Sequence, residues 1–234
     1  MRGRLFTSAM LLAVFLGGGA VFAEDALLET QLAKRGKLLI SEDFAKAPTD
    51  LVTDQPLLKM KSGWRMWSGK WEFEDGVMKG TQLASDGRGA VAACVFPFQN
   101  AIFQFEVRLD DCKQVHFRIQ DSIPEHICRV IITKEGFTAQ KDDHDHKGPD
   151  QPVPFGHLSF ALPPALLKNQ IKPPGPWKTV LVEILGSKMS VSIQGLNILG
   201  GEPLLQTPKA FFDFVVSGGS ASFRNLRVWE ALPK

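Results

Sequence analysis

Three groups of residues in this sequence have the types and spacing that chemistry needs. In the first, Glu106 and Arg108, then His116, Arg118 and Gln120, then Arg129 and Thr133 recur at every second or fourth position. That period puts side chains on one face of extended strands. Arg118, Gln120 and Arg129 on such a face would grip hydroxyls or carboxylates through strong, directional bonds. Glu106 and His116 would add a carboxyl and an imidazole able to exchange protons near neutrality. The same pattern also describes the ordinary solvated face of an antiparallel sheet.

The second group is the run Asp142, Asp143, His144, Asp145 and His146, with Asp150 close behind. Its carboxylates suit Ca²⁺, and two imidazoles two residues apart suit Zn²⁺ or another transition metal. It is neither an EF-hand loop nor an HExxH helix, and with Lys141 and Lys147 beside it the run reads equally as a solvated acidic loop. Folded over the polar face, it would bring His144 or His146 in as a general base. The third group is aromatic. Trp64 and Trp67 are placed to stack on a sugar ring, whereas Trp71, Trp177 and Trp229 lie in strand patterns and are expected in the core. His126 and His157 read as structural.

Glycoside hydrolysis would need two carboxyls about 5 to 9.5 Å apart. Glu106 and Asp110 share a face but lie roughly 13 Å apart along a strand. A partner carboxyl would have to come from elsewhere, for example Glu125 or Asp143. No GxSxG elbow is present to suggest a serine nucleophile.

The elements that must position these groups are strands. Lys113–Gln120, Ile127–Thr133 and Phe137–Lys141 follow one another through short turns. Leu38–Phe44, Ala90–Phe96, Ala101–Leu109, Trp177–Leu185, Lys188–Gln194, Phe211–Val216 and Ser222–Trp229 carry the same signal. Asp75-Gly76 and Gly186-Ser187 are hairpin turns. The prolines of Asp150–Pro154 and Pro163–Pro176 argue against central strands there, and Pro163–Ile171 has room for one helical turn. Ten or so short strands with almost no helix predict an all-β, antiparallel sandwich, and no βαβ rhythm competes with that reading.

The chain has 234 residues, 44% of them hydrophobic and 22% charged, with a net charge of +2. That length suits one sandwich domain, and its scattered basic residues exclude a nucleic-acid partner. Arg2 and Arg4 precede an apolar run from Ala9 to Phe22 that ends in Val21-Phe22-Ala23. This predicts a signal peptide over 1–23, an exported protein of the periplasm or extracellular space, and no transmembrane segment after cleavage. Residues 24–37 read as an N-terminal extension with a turn or two of amphipathic helix, and 38–234 as the domain. Cys94, Cys112 and Cys128 have neither the spacing of a CxxC motif nor, for the last two, a reach that fits a bridge.

Several phrases carry a resemblance. Trp71-Glu72-Phe73-Glu74-Asp75-Gly76-Val77-Met78-Lys79-Gly80 is one. Another is Trp177-Lys178-Thr179-Val180-Leu181-Val182-Glu183-Ile184, followed by Ser190-Val191-Ser192-Ile193-Gln194-Gly195. The third is Phe223-Arg224-Asn225-Leu226-Arg227-Val228-Trp229-Glu230. From about Leu38 to Leu232 the chain resembles the concanavalin A-like, laminin-G-like jelly rolls. Within them it looks most like the bacterial exported 3-keto-disaccharide hydrolase-like domains. The resemblance implies a concanavalin A-like jelly roll and a saccharide or glycoconjugate as ligand. It also implies an alternative, cleavage of a 3-keto-glycoside or other glycosidic bond; a structural module with a cell-envelope partner is a third reading. The glucanases of this superfamily carry Glu-x-Asp-x-x-Glu on one strand. Here the nearest segment is Glu106-Val107-Arg108-Leu109-Asp110-Asp111, which lacks that arrangement.

Overall fold

The computed structural model describes residues 27–234 except 54, 123–125, 143–146, 148–150 and 161–173. Among the described residues, fifteen strands run in chain order. The first five are β1 (Lys34–Glu42), β2 (Gly63–Ser68), β3 (Lys70–Glu74), β4 (Val77–Thr81) and β5 (Ala90–Phe98). The next five are β6 (Ala101–Leu109), β7 (Gln114–Gln120), β8 (His126–Thr133), β9 (Gly136–Lys141) and β10 (Val153–Ser159). The last are β11 (Lys178–Leu185), β12 (Lys188–Ile193), β13 (Leu196–Gly201), β14 (Lys209–Ser217) and β15 (Ser220–Leu232). They form two antiparallel sheets. Sheet A has the order β13-β12-β11-β6-β15-β4-β3, with β1 also paired to β15, and sheet B has the order β10-β9-β8-β7-β14-β5-β2. This is the all-β, antiparallel sandwich that the strand pattern predicts, in the concanavalin A-like jelly-roll form that the resemblance implies.

Alternation builds the interior. Phe103, Phe105 and Val107 point inward from sheet A, and Phe117, Phe212 and Phe214 meet them from sheet B, all buried. Phe103 packs edge-on against Phe117 at 5.1 Å, and Phe214 lies 4.6 Å from Phe223. Rings so placed add favourable quadrupole contacts to the burial of apolar area. All three cysteines are buried and unbridged, and Cys94 and Cys128 pack inside this core.

The turns follow their residues. Asp75 and Gly76 both have positive φ, 51° and 76°, the requirement of a tight hairpin loop that Asp-Gly meets cheaply. Gln194 and Gly195 do the same, with φ of 51° and 79°. They start β13, a strand that the alternation of Leu196–Gly201 signals only weakly. β10 is likewise new, and it uses Pro154 at the sheet edge where a missing N–H is tolerated. These two edge strands meet each other: a Cβ on Gly200 would sit 2.2 Å from the Phe155 ring, so only glycine allows this approach.

The N-terminal stretch departs from the helical expectation. Among the described residues of the extension there is no helix, and β1 begins at Lys34, four positions before the predicted domain start. Residues 28–33 lie across the outer face of sheet A. There the fully buried Glu183 carboxylate accepts the amides of Gln31, Leu32 and Ala33 at 2.7 to 3.0 Å. A carboxylate that collects several backbone donors holds this stretch more firmly than an amphipathic turn could. The predicted signal peptide and the predicted helical turn at 163–171 lie outside the described residues.

Candidate functional site

The polar pattern splits between two faces. β6 belongs to sheet A and β7 to sheet B, so the chain changes sheets at residues 110–113. The amides of Asp110, Asp111 and Cys112 bond to the Ser220 carbonyl there. Glu106 and His116 therefore lie on opposite outer faces of the sandwich, whose sheets alone stand about 10 Å apart. They cannot act as one catalytic pair, which corrects the reading of adjacent strands as a single face. Glu106 is also fully engaged. Arg224 donates Nε to Oε2 at 2.7 Å and Asn225 donates Nδ2 to Oε1 at 3.1 Å, so the carboxylate serves sheet A as an ion-pair partner.

The outer face of sheet B brings the remaining candidates together. β7 places Val115, Phe117 and Ile119 in the core and turns His116, Arg118 and Gln120 outward. Arg118 stands opposite Asp213 of β14 on one side and opposite Arg129 of β8 on the other. Two guanidiniums across a strand pair repel, and two buried carboxylates offset the repulsion. Arg118 donates Nε and Nη2 to the two oxygens of Asp213, at 2.6 and 2.8 Å, and Gln120 adds its amide to Oδ2. Arg129 forks onto Asp142 through Nε and Nη2, with Nη2 also 3.3 Å from His126 Nδ1. Planar, two-point pairs of this kind fix the guanidiniums in orientation as well as in place.

His116 lies in the next row, between Val215 and Ile131. Its Nε2 is buried and has no hydrogen-bond partner among the described residues. Burial first, then the positive charges of Arg118, Arg129 and His126, pull its imidazole down to about 4. It is therefore neutral at pH 7. Because the folded value lies below the unfolded 6.5, its contribution is complete above pH 6.5 and is lost as pH falls towards 4, on the order of 3 kcal/mol. Urea unfolding at pH 7 and pH 4.5 checks this. Part of the acid destabilisation should vanish in His116→Gln, and an unchanged pH slope in that variant would sink the assignment.

The face has limits. The turn at Leu57–Lys59 and Met60 covers β5 and β14 by packing Leu57 and Met60 on Ala93, Val95 and Phe211. Farther along, Thr138 and His157 bond at 2.9 Å. At the β2 edge, Trp67 is 42% exposed, with the Arg88 guanidinium 5.2 Å over its ring.

Three other expectations change. Trp64 cannot stack on a ligand: it is 1% exposed, stacked on Phe214 and edge-on to Phe44 and Phe212. It takes an inward position of β2, so the alternation that exposes Trp67 buries Trp64. Asp142 is committed to Arg129 and fully buried, which removes it from the proposed metal ligands, while Asp143, His144, Asp145 and His146 lie outside the described residues. Trp177 is half-buried at the surface, with Arg108 and Arg224 over its ring at 4.8 and 4.3 Å. Asp213 is the residue that sequence reasoning missed. Its signal was a lone carboxylate in the apolar run Phe211–Val216, at the outward parity.

Residues 55–229 match the family model described as the 3-keto-alpha-glucoside-1,2-lyase-like domain, well over half of the chain. The chain belongs to this family. Among solved structures, the 3-keto-alpha-glucoside-1,2-lyase-like fold is similar to carbohydrate-binding module CBM66 from Bacillus subtilis. That match has 8% identity and a TM-score of 0.55, over 77% of this chain and 99% of the module. It is also similar to the apo Crh5 transglycosylase, with 11% identity and a TM-score of 0.56 over 88% of this chain and 90% of that one. A third is SCLam, a non-specific endo-beta-1,3(4)-glucanase from family GH16, with 10% identity and a TM-score of 0.55 over 86% and 94%. At such identities the 3-keto-alpha-glucoside-1,2-lyase-like chain shares with them its fold. A search of curated proteins gives no match.

Proposed function

We propose that the outer face of sheet B binds a saccharide or related glycoconjugate. The observation that carries this reading is the pair of oriented guanidiniums, Arg118 and Arg129, set beside a neutral His116 on one sheet face. Fixed donors next to a neutral imidazole suit a ligand dense in hydroxyls. The basic, apolar N-terminus supports action outside the cytoplasm, with a glycoconjugate of the cell envelope as one source of ligand.

Family membership favours a second reading of the same face, cleavage of a 3-keto-glycoside. A ketone at C3 acidifies the proton on C2, so a base can remove it as the C1–oxygen bond breaks and the aglycone leaves. His116 would take that proton, and Arg118 would hold the substrate and steady the negative charge developing on the ketone oxygen. Glu106, on the other face, has no part in it.

Thermal-shift titration of residues 24–234 with neutral oligosaccharides, 3-keto-glycosides, Ca²⁺ and Zn²⁺ tests both readings. A ligand at a hundred times its dissociation constant stabilises by about 2.7 kcal/mol. Binding lost in Arg118→Gln supports the face. Turnover that disappears in His116→Gln while binding persists supports cleavage. No response to any sugar would leave a structural module as the better account.

A further inference from the structure

Trp67 belongs neither to the core nor to the arginine pairs. It occupies a bulge of β2, where Met66 pairs with Ala92 and Ser68 with Val91. Val91 pairs with Val215, and Val215 with His116. Trp67 therefore enters the row of sheet B that contains His116, with β5 and β14 between them. Three strand spacings amount to about 14 Å. Arg65, two positions earlier on the same strand, turns outward and donates Nη1 to the Gln55 carbonyl. Trp64, in contrast, is buried in the core. An indole that is 42% exposed, at the rim of a face and steadied by a guanidinium 5.2 Å over its ring, is oriented without being covered.

Resting on the saccharide reading of this face, we infer that Trp67 is a stacking platform for a sugar ring several units away from the ring held at His116 and Arg118. The ligand is then an oligosaccharide, not a monosaccharide or disaccharide. Adjacent rings of a disaccharide cannot reach both places, whereas the end rings of a tetrasaccharide can. Apolar contact between a pyranose face and an indole adds affinity only to ligands long enough to span the row. The bulge has a part in this, because an extra residue in an edge strand re-aims its side chain.

The test is calorimetric titration of the full mature chain with paired probes: laminaribiose and laminaritetraose, cellobiose and cellotetraose, maltose and maltotetraose. In at least one pair the tetrasaccharide should bind the native protein about tenfold tighter, equivalent to about 1.4 kcal/mol. Trp67→Ala should abolish that advantage without weakening the disaccharide, and Trp67→Phe should restore part of it. Equal affinity for both lengths in the native protein, or a length advantage that survives Trp67→Ala, overturns the inference and leaves saccharide binding standing. Failure of every sugar to bind overturns both.

Discussion

Replacing Trp64 with alanine is expected to cost about 3 to 5 kcal/mol of folding stability, measured by urea unfolding of the native and variant chains at pH 7. The indole is enclosed by Phe44, Phe212 and Phe214, with ring centroids between 5.8 and 6.4 Å away. Its removal leaves a cavity between the two sheets that three large rings cannot fill by small rotations. Phe44 aggravates the loss, because it holds φ at 54°, a conformation that packing against Trp64 helps to maintain. Trp67→Ala, only three residues away, should stay within about 0.5 kcal/mol of native stability. Similar losses in the two variants would mean that β2 is not oriented as described.

The second large effect is expected at Asp213. It is fully buried and accepts two bonds from Arg118 and one from Gln120. Alanine there would strand a guanidinium that is only 16% exposed. The cost should reach about 3 kcal/mol, the lower end for a broken buried pair because Arg118 keeps some access to water. Asparagine keeps an acceptor for part of the fork and should lose less. Saccharide affinity should fall in step with the freedom of Arg118, so Asp213→Ala should weaken binding more than Asp213→Asn does. A loss below about 1 kcal/mol for alanine would show that the carboxylate is dispensable.

Much of the fold was legible because its signals are local. Val115, Phe117 and Ile119 alternate with polar neighbours, and Asp75-Gly76 has the turn chemistry its φ values demand. The site was legible only in part, for a reason of topology. His116, Arg118, Gln120 and Arg129 do share a face, because β7 and β8 are joined by a short connection and pair directly. Glu106 precedes them by only ten residues yet lies on the other side, since alternation within a strand says nothing about which sheet the strand joins. Asp213 was invisible for the converse reason: 95 residues separate it from Arg118, and no spacing rule links them. Trp64 and Trp67 show a finer limit. An odd separation should have placed them on opposite faces, but aromatic content alone made both look available.

The last two strands have a consequence for how this chain acquires its structure. β14 pairs with both β7 and β5 in the middle of sheet B, and β15 pairs with β6 and β4 in the middle of sheet A. Neither sheet is continuous until residues 209–232 have been made and docked. Contacts so distant along the chain carry a large loop-closure entropy and place such topologies among the slow folders, in milliseconds to seconds. A nascent chain lacking its C-terminus would expose unpaired edges on β5, β6 and β7. Trimming a few dozen C-terminal residues would therefore remove the centre of both sheets at once, however complete the remaining thirteen strands.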